Sequence, residues 1–91
     1  MVKTPDSFYA YLRGAALTQR GWHFTEKSAQ CYCYYIQRTL AEHGLTIISL
    51  NQQITSLIRD YSVNGPDEED GAKSKGSWRN ALLKYRDFLE D

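Results

Sequence analysis

The chain has 91 residues, of which 42% are hydrophobic, 13% are aromatic and seven are tyrosine, so it has room for one domain, spanning 1–91, with a modest core. Eleven basic and eleven acidic residues give a formal net charge of zero, which by itself does not favour a nucleic-acid partner. The sequence contains no apolar leader and no apolar run of about 18 residues, so we expect neither secretion nor membrane spanning, and a cytoplasmic location.

The acidic residues are unevenly distributed along the chain. Four of them occupy positions 67–70, and three more are Asp87, Glu90 and Asp91. The rest of the sequence has only four acidic residues, compared with eleven lysines and arginines. Because clustering of this kind makes a surface dipolar, we expect a basic region that attracts an anionic partner.

Two helices are predicted in the first half of the chain. The first covers about 5–18, since Pro5 suits the opening position of a helix. The second covers about 26–43, because the hydroxyl of Thr25 can cap its first turn and Gly44 can adopt the left-handed conformation that ends a helix.

A third helix is predicted at about 50–61, where Ser49 and Gln52 have the spacing of a capping box. The alternative for the segment 45–50 is a β-strand, because it contains two consecutive isoleucines. A lone short strand would have no partner, so the helix is the favoured interpretation.

The fourth helix is predicted at about 77–90, where apolar residues recur at the spacing of one helical face. Those residues are Trp78, Ala81, Leu82, Tyr85, Phe88 and Leu89. The preceding segment 62–76 has three glycines, a proline and almost nothing to bury, which indicates a long, flexible polar loop. The pattern as a whole predicts an all-α fold of four helices.

The last helix carries the string Asn80-Ala81-Leu82-Leu83-Lys84-Tyr85 followed by Phe88-Leu89, and an earlier helix begins after Thr25 with tyrosines further on. With these features, residues 8–90 resemble the SAM-like core-binding domain of tyrosine recombinases and phage integrases. The resemblance implies a SAM-like orthogonal four-helix bundle that binds duplex DNA through phosphates, using basic residues of its second and fourth helices. It assigns that role by position to Thr25, Lys27, Lys75, Ser77 and Arg79.

One face of the second predicted helix is a candidate contact surface in its own right. Lys27, Cys31, Tyr34 and Arg38 lie opposite the apolar stripe, within an arc of about 60°. An aromatic residue between two cations suits phosphate and sugar, or another protein. The alternative is an ordinary solvated helix face.

A second candidate surface lies on the fourth helix, where Arg79 and Arg86 flank Leu83 on one shoulder. We expect Leu83 to be exposed, and an exposed leucine beside arginines favours a protein partner. Simple surface charge is the alternative. The predicted DNA-binding residues are Thr25, Lys27, Tyr34, Arg38, Lys75, Ser77, Arg79 and Arg86, and the predicted protein-interaction residues are Tyr34, Leu83, Arg79 and Arg86.

Two further functions therefore remain open beside DNA binding. The alternatives are a protein-interaction or small phage-type regulatory domain, which includes a homo-oligomeric form, and one part of a larger enzyme that lacks its catalytic domain. The acidic run 67–70 could lie over the basic face and imitate DNA phosphates. In that case the module would inhibit its own binding.

Catalysis, metal binding and cofactors are not expected. The integrase-type catalytic arginine, His-x-x-Arg and tyrosine set does not follow the helical region, and no base stands beside a nucleophile in a recognisable pattern. The two cysteines and two histidines lack zinc-ligand spacing, with structural roles expected for the histidines, and the run 67–70 lacks the alternating ligands of a calcium loop. We therefore expect no membrane and no small-molecule substrate as partner.

Overall fold

The computed structural model describes residues 4–14, 16, 21 and 23–90. Within this part of the chain there are four α-helices and no β-strand, so the expected all-α class is confirmed. The helices are α1 (Pro5–Gly14), α2 (Glu26–His43), α3 (Ile47–Asp60) and α4 (Glu68–Glu90). None of the helices in the described ranges is long and apolar enough to cross a bilayer.

Capping hydroxyls and a glycine set the bounds of α2 as the sequence predicts. The Oγ1 atom of Thr25 accepts a hydrogen bond from the Ser28 N–H at 3.1 Å. At the other end, Gly44 has φ 61° and its N–H donates to the Leu40 carbonyl, which satisfies one of the carbonyls left over at a helix end. The helix α1 also begins at Pro5 but ends at Gly14, and Ala16 is not helical, so the predicted extension to about residue 18 is wrong.

The start of α3 differs from the prediction. The helix begins at Ile47, because the Oγ1 of Thr46 accepts the Ser49 N–H at 3.1 Å and so acts as the cap. The capping box that we expected from Ser49 to Gln52 is therefore wrong, since Ser49 already lies in the first turn. The alternative β-strand over 45–50 is wrong for the same reason.

The long loop predicted at 62–76 is also wrong, because α4 begins at Glu68 instead of near residue 77. The first turn of α4 is acidic, and negative side chains are stabilised by the positive end of the helix dipole. A hydrogen bond of 2.8 Å from the Asp67 N–H to the Asp60 carbonyl ties the short connection to the end of α3. Part of the polar segment that indicates a loop, from Glu68 onward, thus forms the first turns of a helix.

Gly76 divides α4 into two parts. Its φ of 82° lies in the left-handed region, which cannot continue regular α-helical geometry and which glycine adopts without steric cost. The residues before it are polar, whereas those after it carry the apolar stripe. The predicted start near residue 77 coincides with this irregularity.

The core lies mainly between α2 and α4, with α1 packed on α2 and α3 packed on α4. The helices α2 and α4 are antiparallel, since Lys84 lies near Phe24, just before α2, while the earlier Trp78 lies near the later Tyr35. The largest fully buried side chains are Trp78, Tyr61, Tyr85, Phe8, Leu12, Ile36, Leu50, Leu82 and Thr39. The radius of gyration is 12.2 Å, and about 12 Å is expected for a compact chain of this length.

Trp78 is the centre of this core. Its ring lies 5.3 Å from that of Tyr35 and 5.0 Å from that of Tyr61, between centroids. Its indole N–H donates to the Thr39 Oγ1 at 3.0 Å, and the Thr39 hydroxyl donates to the Tyr35 carbonyl at 2.8 Å. This chain of bonds satisfies the buried polar atoms and fixes α2 against α4.

Candidate nucleic-acid interface

The solvent-facing side of α2 carries the first group of predicted contact residues. Lys27, Tyr34 and Arg38 lie within an arc of about 40° around the helix axis. Lys27 is exposed, the Tyr34 side chain is 56% exposed and Arg38 is half-exposed. A large aromatic ring in solvent beside a guanidinium is an uncommon surface feature that suits contact with a partner.

Arg38 is held in place by aromatic and acidic neighbours. Its Cζ lies 5.0 Å from the centroid of the buried Trp78 ring and 5.9 Å from that of the Tyr34 ring. Its Nη2 donates to the Glu42 Oε1 at 2.6 Å. Hydrogen bonding to Glu42, and then to Tyr34, raises the pKa of Arg38 above its usual value. The cation is therefore permanently charged, oriented and already matched with a carboxylate.

The second group lies on α4. Arg79, Leu83 and Arg86 follow one another at spacings of four and three residues, so they share one side of the helix. Leu83 is half-buried and packs against the core, so the expected exposed leucine is wrong. Within the described part of the chain, neither arginine takes part in an ion pair.

The two groups lie on different helices, and on α4 the two arginines lie away from the shoulder of Lys84. Lys84, whose Nζ is 5.9 Å from the centroid of the Phe24 ring, marks the shoulder of α4 that faces the start of α2. Arg79 and Arg86 are about 150° away from Lys84 around the α4 axis. Among the described residues, no hydrogen bond, ion pair or cation–π contact joins these two arginines to Lys27, Tyr34 or Arg38.

The remaining predicted residues have mainly local roles. The Thr25 hydroxyl is exposed, but it caps α2 and donates to the Ser28 Oγ at 3.1 Å. Ser77 is half-buried on α4 directly after Gly76. The side chain of Lys75 lies outside the described residues.

An acidic junction lies at the end of α2 that holds Arg38. There the His43 Nε2 is 3.0 Å from the Tyr61 hydroxyl oxygen. Burial, and then the nearby charges of Asp67, Glu42 and Asp70, raise the pKa of the Tyr61 hydroxyl. The charges of Asp67 and Asp70 at the start of α4 therefore act on the hydroxyl that His43 contacts at the C-terminal end of α2.

Glu42 and Trp78 both contact Arg38, although neither is among the contact residues predicted from the sequence. The spacing of four residues between Arg38 and Glu42 is a recognisable signal for an ion pair on a helix. The contact between Arg38 and Trp78 depends on how α2 and α4 pack, so no local pattern indicates it. His43, predicted to be structural, bonds to Tyr61 between α2 and α3.

Both cysteines are half-buried on α2. Burial, with a smaller effect of Asp6, raises the pKa of the Cys33 thiol to about 11, which disfavours the reactive thiolate. Cys31 is half-buried and forms no disulfide with it. Among the described residues there is no group of three or more histidine, cysteine or acidic side chains placed to hold a metal ion.

Comparison with known proteins gives no relative from which a function can be inferred. No protein-family model, curated protein or solved structure matches the chain. The resemblance to integrase core-binding domains thus stays a prediction. What the geometry provides is a surface on α2 with an oriented arginine, an exposed tyrosine and an exposed lysine.

We expect the fold to lose stability at alkaline pH through its buried tyrosines. Burial raises the pKa of Tyr85 to about 12, against about 10 in an unfolded chain. Between these values the unfolded chain loses the proton while the folded chain keeps it. The stabilisation is therefore complete below about pH 10 and falls by about 1.4 kcal/mol per pH unit above it.

Urea unfolding at a series of pH values, combined with the ultraviolet absorbance of tyrosinate, measures this effect. The Tyr85→Phe variant should show a shallower decline above pH 10, because it has no proton to lose at that position. A free energy of unfolding that stays constant through this range in the unmodified chain would contradict the assignment.

Proposed function

We propose that this chain is a non-catalytic module that binds duplex DNA through its phosphates, and that its helices form a SAM-like orthogonal bundle. The observation that carries the proposal is the α2 surface, where Lys27, Tyr34 and Arg38 share one solvent-facing side. Lysine and arginine contact phosphate oxygens, while a tyrosine hydroxyl or ring contacts phosphate or sugar. Among the described side chains, no group of three or more histidine, cysteine or acidic residues is placed to hold a metal ion.

The position of the charges supports the first end of α2 as the main anion contact. The exposed Lys27 lies in the first turns of this 18-residue helix, where backbone N–H groups and the helix dipole favour negative charge. The acidic junction of Asp67, Asp70 and Glu42 lies near the other end. These acidic groups disfavour a polyanion near the C-terminal end of α2, where a phosphate has to compete with them for Arg38, whereas the first turn of α2 carries Lys27 beside a single acid, Glu26.

The α4 arginines provide a second, separate set of contacts. Arg79 and Arg86 lie about 10 Å apart along the helix axis, and no acidic partner holds them within the described part of the chain. We place them on another stretch of the same duplex or on a neighbouring molecule. The resemblance to integrase core-binding domains supports helices two and four as the contact elements.

Binding of this kind has a recognisable salt dependence. Phosphate contacts release counterions, so log affinity falls with log salt at a slope of about 0.9 per phosphate neutralised. With a few contacts we expect weak binding, micromolar or weaker, with little sequence preference. The affinity should fall steeply between about 50 and 200 mM salt.

Charge reversal on α2 tests the proposal. Lys27→Glu should weaken binding of a short labelled duplex by about fivefold or more at low salt and reduce the salt slope by about one. The matched control is Arg59→Glu, an equal charge change at an exposed position in the last turn of α3. Fluorescence anisotropy measures both. Equal losses of affinity in Lys27→Glu and Arg59→Glu would contradict the assignment of DNA binding to α2. Arg79→Glu, compared with the same control, tests the contacts of the α4 arginines.

Protein interaction is the second candidate, and one observation favours it. Tyr34 is 56% exposed beside Arg38, and tyrosine and arginine are the residue types that dominate protein interfaces. Light scattering that shows concentration-dependent association, lost in Tyr34→Ala, together with no duplex binding, would favour this function. Leu83→Asp is unsuitable for that purpose, because Leu83 packs against the core.

A further inference from the structure

Arg38 differs from the other cation of the α2 surface in having an acidic partner. Within the described residues no ion pair involves Lys27, whereas the Arg38 Nη2 lies 2.6 Å from the Glu42 Oε1. Both side chains remain accessible, since they are 41% and 37% exposed. A ligand can therefore reach this pair from solvent.

The aromatic neighbours fix where the guanidinium lies. Trp78 is fully buried and packs against Tyr35 and Tyr61, and the guanidinium lies over its ring at 5.0 Å. Tyr34 approaches from the solvent side, with its ring centroid 5.9 Å from the Arg38 Cζ. Arg38 is thus oriented before any partner binds. An acceptor that uses its N–H donors has to bind at this fixed position.

A carboxylate and a phosphate compete for the same donors of an arginine, because both accept its N–H bonds with similar geometry. We infer that Glu42 is an internal competitor for DNA, whose carboxylate occupies on Arg38 the place that a phosphate oxygen takes in the complex. The inference rests on the proposed function. It adds that binding at this end of α2 requires Glu42 to be displaced.

The surroundings reinforce the competition. Asp67 and Asp70 approach the same end of the bundle from the connection to α4 and from its first turn, and their charges reach the nearby Tyr61 hydroxyl. With Glu42 they make the far end of α2 unfavourable for an anion. Of these three acidic groups, Glu42 is the one in direct contact with Arg38, so neutralising it removes the carboxylate that competes most directly with a phosphate.

The test compares two substitutions that change the net charge equally. Glu42→Gln should tighten binding of a short labelled duplex by about two- to fivefold, the range expected for an exposed ion pair. Glu90→Gln, at an exposed position at the end of α4, should change affinity by much less. In an Arg38→Gln background, Glu42→Gln should no longer tighten binding, because the shared donor is gone.

The outcomes separate the inference from the function on which it rests. Duplex binding that Lys27→Glu weakens, with Glu42→Gln no tighter than Glu90→Gln, would leave the function standing and overturn the competitor. A gain from Glu42→Gln that persists in the Arg38→Gln background would also overturn it. No duplex binding by the unmodified chain and by Glu42→Gln alike would overturn both.

Discussion

Replacing Gly71 by alanine is expected to destabilise the fold by about 3 kcal/mol or more, at the upper end of the range for overpacking. A Cβ at this position would lie 2.8 Å from the carbonyl carbon of Tyr61 and in still closer contact with its oxygen. The obstacle is backbone at the end of α3, which cannot rotate away as a side chain does. The close approach of α4 to α3 at this point therefore requires glycine.

Gly14→Ala is the matched control for this substitution. Gly14 is the last residue of α1, and a Cβ there would meet no atom within 4 Å. Alanine has the higher helix propensity, so we expect little change or a gain of about 0.5–1 kcal/mol. Urea unfolding followed by circular dichroism measures both variants, and similar free energies of unfolding would refute the role given to Gly71.

Trp78→Ala is the second substitution with a large expected effect, a loss of about 3–5 kcal/mol. It removes the ring that packs between Tyr35 and Tyr61, and it removes the N–H donor that bonds to Thr39. A chain of this size has about 5–14 kcal/mol of stability in total. The variant is therefore expected to be marginally stable or unfolded at ambient temperature.

Tyr34→Ala controls for the loss of an aromatic ring. Because Tyr34 is 56% exposed, its removal should change the free energy of unfolding by about 0.5 kcal/mol or less. Trp78→Phe should fall between the two, since it keeps an aromatic ring and loses the bond to Thr39. Chemical unfolding that shows equal stability for Trp78→Ala and Tyr34→Ala would contradict the central position of the tryptophan.

The elements with local signals are the ones that the sequence predicts well. The bounds of α2 depend on Thr25 and Gly44, whose capping roles involve only neighbouring residues. The apolar stripe of α4 predicts the burial of Trp78, Leu82 and Tyr85 because helical periodicity depends on spacing alone.

The failures occur where two local signals compete or where a tertiary contact decides. Thr46 and Ser49 both suit a helix start, and the earlier one is the cap, since its hydroxyl accepts the Ser49 N–H. The polar start of α4 buries little by itself, and it is stabilised by Gly71 lying against Tyr61. That contact joins two helices, so no pattern within either of them indicates it.

The sequence predicts which residues form the candidate surface on α2, but not how their side chains are oriented or buried. Lys27, Tyr34 and Arg38 share a face by spacing alone, as expected. That Arg38 is oriented by Trp78 depends on the packing of α2 against α4. The burial of Leu83 likewise depends on which neighbouring helix covers that shoulder of α4.

The guanidinium over Trp78 gives the molecule an internal optical reporter. Indole emission responds to the electric field at the ring, and the Arg38 charge lies 5.0 Å from its centre. An anion that settles on this arginine will change that field, so its arrival is visible as a spectral shift without any attached dye. With Trp22 replaced by phenylalanine, the signal comes from one chromophore alone.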